Sequence, residues 1–267
     1  MPEKAVELFI KNFVSNQRLR KISSSQNDGG TLFGGLSESS LQSLLENSHI
    51  RDFGSKEGLV QQGDEPEYLY SIMSGSIKTL RYNTEGKETT IRMLGCGETF
   101  MDAVIFMGGQ SPISAETTEA STLLMIPAEA VRRHALHDSQ FACNLLKIVT
   151  RHYKNAIQQV DSIWTKSPSH RVGQYFLKLH IDQDSNSLDV SLPFQKSTVA
   201  NHLGMTPETF SRALGAIKKL GVNVQQDKLS LRDAYVLCHF CDPETSSSCP
   251  NYNSEKCPLC THGASCH

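Results

Sequence analysis

The spacing of apolar and polar positions changes period twice along the chain. Residues 4–14, KAVELFIKNFV, carry apolar side chains at helical spacing and predict a short amphipathic helix; SSSQNDGG at 23–30 then breaks it. A helix is predicted from Leu36 to Glu46, with Ser37 as N-cap and Leu41, Leu44 and Leu45 on one face. From about 48 to 127 the period is two. Tyr68, Tyr70 and Ile72 alternate with smaller or polar residues, and Gly75, Gly86, Gly95, Gly97 and the Gly108–Gly109 pair punctuate the run. Short strands at regular spacing predict a small antiparallel barrel or roll.

Beyond Pro127 the period is helical. After a break at His137–Asp138–Ser139, one long helix is predicted to about Ile163. Ala142, Leu146, Val149, Tyr153, Ala156, Val160 and Ile163 alternate steps of four and three, which makes an a/d seam. Phe141, Leu145 and Ile148 form a second stripe beside it. Two stripes suit a helix that packs on the roll with one face and on a second copy of itself with the other. The alternative is that both are buried within one domain.

Ser167–Pro168–Ser169 ends this helix, HRVGQYFLKLH is helical again, and LDVSLPF reads as a short strand. KSTVANHLG and MTPETFSRALGAIKKLG then read as two helices joined at Gly204–Met205–Thr206. Thr206 is placed to cap the second, Pro207 sits in its first turn, and Glu208 complements its dipole. Val199, Leu203, Phe210, Leu214 and Ile217 supply the buried faces. GVNVQQDKLSLRD adds two short strands around 225–227, a small wing. A helix-turn-helix with a wing is a DNA-reading unit, although a plain helical hairpin has the same apolar pattern.

Charge supports the first reading. The whole chain of 267 residues has 26 Lys+Arg against 28 Asp+Glu, a net −2, so bulk electrostatics indicate no partner. Between Trp164 and Arg232, however, nine basic residues face five acidic ones. Basic charge is concentrated where phosphate contacts are needed. At 38% hydrophobic and 20% charged, the composition is that of an ordinary globular chain. No apolar run approaches the ~18–20 residues of a membrane span, and MPEKAVELFIKNF is not a secretory signal, so a cytoplasmic protein without a membrane partner is expected.

Cysteine usage is uneven: six of the eight lie in the last 30 residues. Cys238-x2-Cys241 and Cys257-x2-Cys260, fifteen residues apart, match a four-thiolate zinc site, with Cys249 and Cys266 as spare ligands. The surplus leaves room for an iron–sulfur cluster. A disordered tail with free thiols is the remaining alternative. The helix-turn-helix, with its own apolar core, is expected not to depend on this tail.

The order of roll, long helix and winged helix-turn-helix resembles the CRP/FNR superfamily of bacterial transcription regulators over about residues 32–236. The stretches LVQQGDEPEYLYSIMSGSIK, LGCGETFMDAVIFMGGQ, HRVGQYFLKL and TVANHLGMTPETFSRALGAIKKLG carry the likeness. ETFMDAVIFM, HRVGQYFL and LGMTPETFSR are most similar to the nitric-oxide-responsive denitrification (Dnr-like) branch. The implied fold is α+β. It comprises an N-terminal arm (1–31), an antiparallel β-roll sensor of the cyclic-nucleotide-binding type (32–136), a dimerisation helix (137–165), a winged helix-turn-helix (166–237) and a Cys-rich tail (238–267).

The resemblance also implies function: a homodimer that binds palindromic double-stranded DNA with a half-site of TTGAT type, and that meets RNA polymerase if it activates. FNR-like members carry Glu-x-x-Ser-Arg on the recognition helix, here Glu208, Ser211 and Arg212, with Thr209 between them. Their spacing puts them on one helical face. Arg212 suits guanine O6 and N7, Glu208 a cytosine amine, and Ser211 a thymine edge. A solvated Glu208–Arg212 pair is the bland alternative. Lys196, His202 and Lys218 read as backbone contacts.

Members that bind cyclic AMP place Glu and Arg-Ser where this chain has Ala103 and Ile113–Ser114, so the phosphate lacks its cation and cyclic AMP is not expected as effector. An enzyme of the cupin type is not expected either, because residues 50–133 contain no His. Haem stays open through His134, His137, His152 or Cys96. The competing function is a metal-binding regulatory or interaction module without DNA binding.

Overall fold

The computed structural model describes residues 32–184, 188–225, 228–232, 236–242, 245 and 249. The helix expected over 4–14 lies outside them. The chain divides into two compact units, 1–156 and 157–267.

In the first unit, α1 (Glu38–Leu45) starts as expected: Ser37 Oγ accepts the Ser40 N–H at 3.1 Å, and Leu41, Leu44 and Leu45 are buried. Eight strands follow: β1 (His49–Phe53), β2 (Gly58–Val60), β3 (Tyr68–Ser74), β4 (Ile77–Tyr82), β5 (Glu88–Leu94), β6 (Thr99–Phe100), β7 (Ser114–Thr117) and β8 (Ser121–Pro127), with the one-turn helix α2 (Val104–Met107) after β6. They form two four-stranded antiparallel sheets, ordered β1-β8-β3-β6 and β2-β7-β4-β5. Gly75, between β3 and β4, has φ +85°, and a Cβ there would lie 2.2 Å from Ser121 Oγ, so only glycine fits the turn.

The first sheet departs from the one-sided alternation read in the sequence. On β3, Tyr70 and Ile72 point into the roll with Leu94, Phe100 and Leu123. Leu69, between them in sequence, is equally buried, but among helical residues, together with Leu124 and Ile126 of β8. Both faces of the central strands β3 and β8 are therefore covered, and these two read as near-continuous apolar runs, while the edge strand β1 stays largely exposed. The covering helices are α1, α3 (Ala128–His137) and the start of α4 (Ser139–Thr165), whose Phe141, Leu145 and Ile148 join the same cluster. Asp138 makes the break between α3 and α4, its carboxylate accepting the Phe141 N–H at 3.0 Å. Asn144, buried on α4, donates to the Leu32 and Gly34 carbonyls and ties down the segment before α1.

The second unit contains α5 (Pro168–Asp184), β9 (Asp189–Ser191), α6 (Lys196–His202), α7 (Pro207–Lys218), β10 (Val222–Gln225), β11 (Lys228–Leu231) and a 3-10 turn, Val236–Phe240. The strand expected in LDVSLPF does not stand alone. It pairs with the wing, Val190 opposite Leu229, giving an antiparallel sheet ordered β10-β11-β9. The boundary expected at 237/238 falls inside the 3-10 turn. Phe240, 5% exposed, packs so closely on α5 that a Cβ at Gly173 would lie 2.3 Å from its ring. The start of the Cys-rich segment, at Phe240, thus packs on the core of this unit, a contact between residues far apart in the chain that leaves no periodic signal in the sequence.

Candidate nucleic-acid interface

The turn between α6 and α7 is closed by backbone hydrogen bonds. Gly204 adopts φ +65°, its N–H donates to Asn201 O, and the Met205 N–H donates to Ala200 O, both at 3.0 Å. This is the Schellman arrangement, which needs a residue without Cβ strain at Gly204. One residue later Thr206 caps α7, its Oγ1 accepting the Thr209 N–H at 3.3 Å, with Pro207 in the first turn. Helix end and helix start are joined by so few residues that α7 cannot turn independently of α6.

α7 buries Phe210, Ala213, Leu214 and Ile217. The opposite side carries Glu208, Ser211, Arg212 and Lys218, all exposed. Glu208 has its carboxyl held below the usual range by its own backbone N–H and the Thr206 hydroxyl, with Arg212 adding a smaller attraction. It therefore stays an anion and an acceptor. Arg212 Nη2 donates to Thr209 Oγ1 at 3.3 Å, which orients the guanidinium along the exposed face. A groove beside this row is lined by Lys196, Ser197, Phe210, Ser211, Lys218 and, from the wing, Val224. Donors, an acceptor and three cations, Lys196, Arg212 and Lys218, thus share one surface, the chemistry that base edges and phosphates require. His202 differs from its neighbours. It is half-buried, its carbonyl accepts from Gln159 Nε2 at 2.8 Å, and its ring lies 3.5 Å from the same nitrogen.

The seam residues of α4 stand mostly outside the fold. Leu146, Tyr153, Ala156, Val160 and Ile163 are exposed, and Ala142 and Val149 are half-buried. Ile157 and Trp164, which the a/d spacing did not include, are also exposed, Trp164 by 84%. An exposed apolar row of this length is unusual for a lone soluble helix.

An apolar cluster fills much of the roll, with Tyr70 and Phe100 stacked at 4.6 Å. One polar cluster joins three elements: Arg92 on β5, Asp102 after β6 and His152 on α4. His152 Nδ1 lies 3.2 Å from Asp102 Oδ1, and Arg92 Nη2 lies 2.8 Å from His152 Nε2. None of these was singled out as a set from sequence, since strand, turn and helix are far apart in the chain. The other candidate haem ligands also have protein partners. His134 Nε2 meets Ser40 Oγ at 2.8 Å, His137 Nδ1 meets Arg133 O at 2.7 Å, and Cys96 Sγ donates to Met73 O at 3.0 Å.

In the tail, the Cys241 N–H donates to Cys238 O at 3.0 Å, closing a tight CxxC turn. Asp242 accepts from Lys166 Nζ at 2.6 Å; burial opposes its charge, but this contact and Thr245 bring its carboxyl down to about 2. Cys249 is described; Cys257, Cys260 and Cys266 lie outside the described residues. Among the described residues no three His, Cys, Asp or Glu side chains come together as a metal site, and no helix is long and apolar enough to cross a membrane.

Comparison with known proteins matches both units. Residues 50–138 match the cyclic nucleotide-binding domain family and residues 170–240 the Crp-like helix-turn-helix domain family. The chain is 28% identical over 198 residues to the cyclic AMP receptor protein of Thermus thermophilus, covering 73% of this chain and 88% of that protein. It is 25% identical over 185 residues to the anaerobic regulatory protein of Pasteurella multocida, 67% of each. The structure of FixK2 from Bradyrhizobium japonicum shares the fold, with a TM-score of 0.66 at 18% identity over 72% of this chain and 96% of that one.

Proposed function

We infer that this chain, which belongs to the CRP/FNR family of transcriptional regulators, works in the cytoplasm as a homodimer that reads palindromic DNA and is gated by a signal other than cyclic AMP. The observation that carries the reading is the exposed row Glu208, Ser211 and Arg212 on a capped helix whose other face is buried. A half-site of TTGAT type fits this row, with Arg212 on guanine, Glu208 on cytosine and Ser211 on thymine. Lys196 and Lys218 serve phosphates beside it. The exposed apolar row on α4 supports a dimer through that helix, as two-fold half-sites require.

The effector reading rests on side-chain chemistry. At the positions that hold the nucleotide in the cyclic-AMP-binding members, Ala103 and Ile113 offer neither carboxylate nor cation. The Dnr-like stretches favour a diatomic-gas or redox signal. Thiolates at Cys238, Cys241, Cys257 and Cys260 suit zinc or an iron–sulfur cluster, and such an ion would order a segment poor in apolar residues. An activator of this kind also meets RNA polymerase.

The test is selection of bound duplexes from a randomised pool by the full chain, followed by footprinting. A two-fold palindrome with half-sites about one helical turn apart is expected. Binding without sequence preference would overturn the reading and leave the metal-binding module.

A further inference from the structure

The end of α6 is held from outside by two side chains. The last carbonyls of a helix have no intrahelical donors. In α6 the Schellman bonds satisfy Ala200 and Asn201, which leaves His202 O and Leu203 O. Gln159 Nε2 donates to the first at 2.8 Å, and Arg171 Nη1 donates to the second at 2.6 Å. Gln159 is on α4, six residues before its end, and Arg171 is in the first turn of α5. Ile163, one turn beyond Gln159, closes the third side: a Cβ on Gly204 would lie 3.3 Å from Ile163 Cδ1 and 3.5 Å from Arg171 Nη1.

Arg171 is a costly choice for this task. It is 9% exposed, its Nε has no hydrogen-bond partner, and burial pulls down its affinity for the proton. Among the described residues no carboxylate forms an ion pair with it. Water would satisfy a carbonyl at an open helix end at no such expense. A buried cation directed at one carbonyl makes sense if that carbonyl must stay in one place.

We propose that Gln159 and Arg171 are positioning residues for DNA reading, fixing the turn before α7 so that the recognition row follows the last turns of α4. The inference rests on α7 being the DNA-reading helix. α7 begins two residues after Gly204, so a displacement of the His202 and Leu203 carbonyls carries Glu208, Ser211 and Arg212 with it. Gln159 sits on the same helix as the exposed apolar row. The last turns of α4 therefore meet the turn directly, through the Gln159 hydrogen bond and with Ile163 beside Gly204.

The experiment uses the full chain with Gln159→Met, which keeps volume and removes the donor, and Gln159→Lys, which keeps a donor of similar reach. Binding to a TTGAT-type palindrome and to a scrambled duplex is followed by fluorescence anisotropy at one salt concentration. Amide exchange at Gly204 and Met205 is measured without DNA. The Met variant is expected to lose roughly fivefold on the palindrome, the scale of one ordinary hydrogen bond. Its scrambled-duplex affinity stays unchanged, exchange at the turn quickens, and Lys restores both palindrome affinity and slow exchange. Unchanged palindrome affinity, or equal losses on both duplexes, would overturn the proposal. If the wild type fails to prefer the palindrome, the DNA reading itself is wrong; unchanged exchange in the Met variant then overturns the positioning role separately.

Discussion

His152 and Asp102 meet at 3.2 Å between helix α4 and the turn after β6. Arg92 reaches the same imidazole, with Nη2 2.8 Å from Nε2 and Nη1 3.4 Å from Nδ1. Asp102 also accepts from Thr99 Oγ1 at 2.9 Å and the Ala103 N–H at 2.8 Å. The residue before it, Met101, is buried and held at φ +67°, a conformation that costs a side-chain-bearing residue of order 1 kcal/mol. The roll accepts a strained turn to bring one carboxylate against the long helix.

Asp102 should therefore contribute pH-dependent stability. Burial opposes its ionisation, but His152, Arg92 and Thr99 outweigh that and hold its carboxyl below the usual range. A folded value below the unfolded one means stability that is present above the unfolded value and lost as pH falls through the folded one. Asp102→Asn should cost about 1–3 kcal/mol at neutral pH. The difference from wild type should close in acid. Thermal melts of both proteins between neutral pH and pH ~3 check this.

The exposed row on α4 predicts a dimer that a single charge breaks. Val160 stands 57% exposed in one chain, so Val160→Asp is harmless to the fold of that chain and places an unpaired charge in the seam. The cost to the dimer should be several kcal/mol. Light scattering should show a monomer with unchanged circular dichroism; a persisting dimer mass would move the interface elsewhere.

Arg212→Ala should weaken palindrome binding by about 1–3 kcal/mol and relax preference at one base pair. Lys218→Ala should instead weaken all duplexes alike and lower the salt slope by about one. Anisotropy titrations over a salt series separate the two. If Arg212→Ala behaves like Lys218→Ala, Arg212 is a phosphate contact.

The seat of Phe240 on Gly173 predicts that tail and helix-turn-helix are energetically joined. Gly173→Ala drives a methyl to 2.3 Å from the Phe240 ring and should cost about 1–3 kcal/mol. Phe240→Ala, which empties the same seat, should cost about 3–5 kcal/mol. Combined, the two should cost less than their sum, because the aromatic ring that the methyl strikes is gone. Additive losses in denaturant melts would mean that the turn is not docked in solution.

Metal content should follow the tail thiolates. Full chain purified without oxygen should carry zinc or iron, and Cys257→Ser with Cys260→Ser should lose it while keeping most helix content. Elemental analysis with a visible spectrum decides the metal. Equal content in both proteins would return attention to other ligands.

Part of this was legible in the sequence because it is local. Ser37 and Thr206 announced helix starts, Gly204 a helix end, and three-and-four spacing the long helix. The face carrying Glu208, Ser211 and Arg212 followed from helical geometry alone. Strand alternation was less informative where a sheet is covered twice: Leu69 and Tyr70 are both buried, in different clusters, and no one-sided pattern encodes that.

The sequence by itself determined the order of elements, the shared face of Glu208, Ser211 and Arg212, and the apolar stripes of α4, since each depends only on the period of a helix or strand. Tertiary structure decided which distant residues became partners. Arg92, Asp102 and His152 come from a strand, a turn and a helix; Gln159 and Arg171 converge on carbonyls more than thirty residues away; Phe240 fills the space left by a glycine on α5. None of these pairings has a period, because each is fixed by how elements pack and not by the repeat of any one of them. Side-chain hydrogen bonds to buried carbonyls and imidazoles form only once packing has removed the competing water.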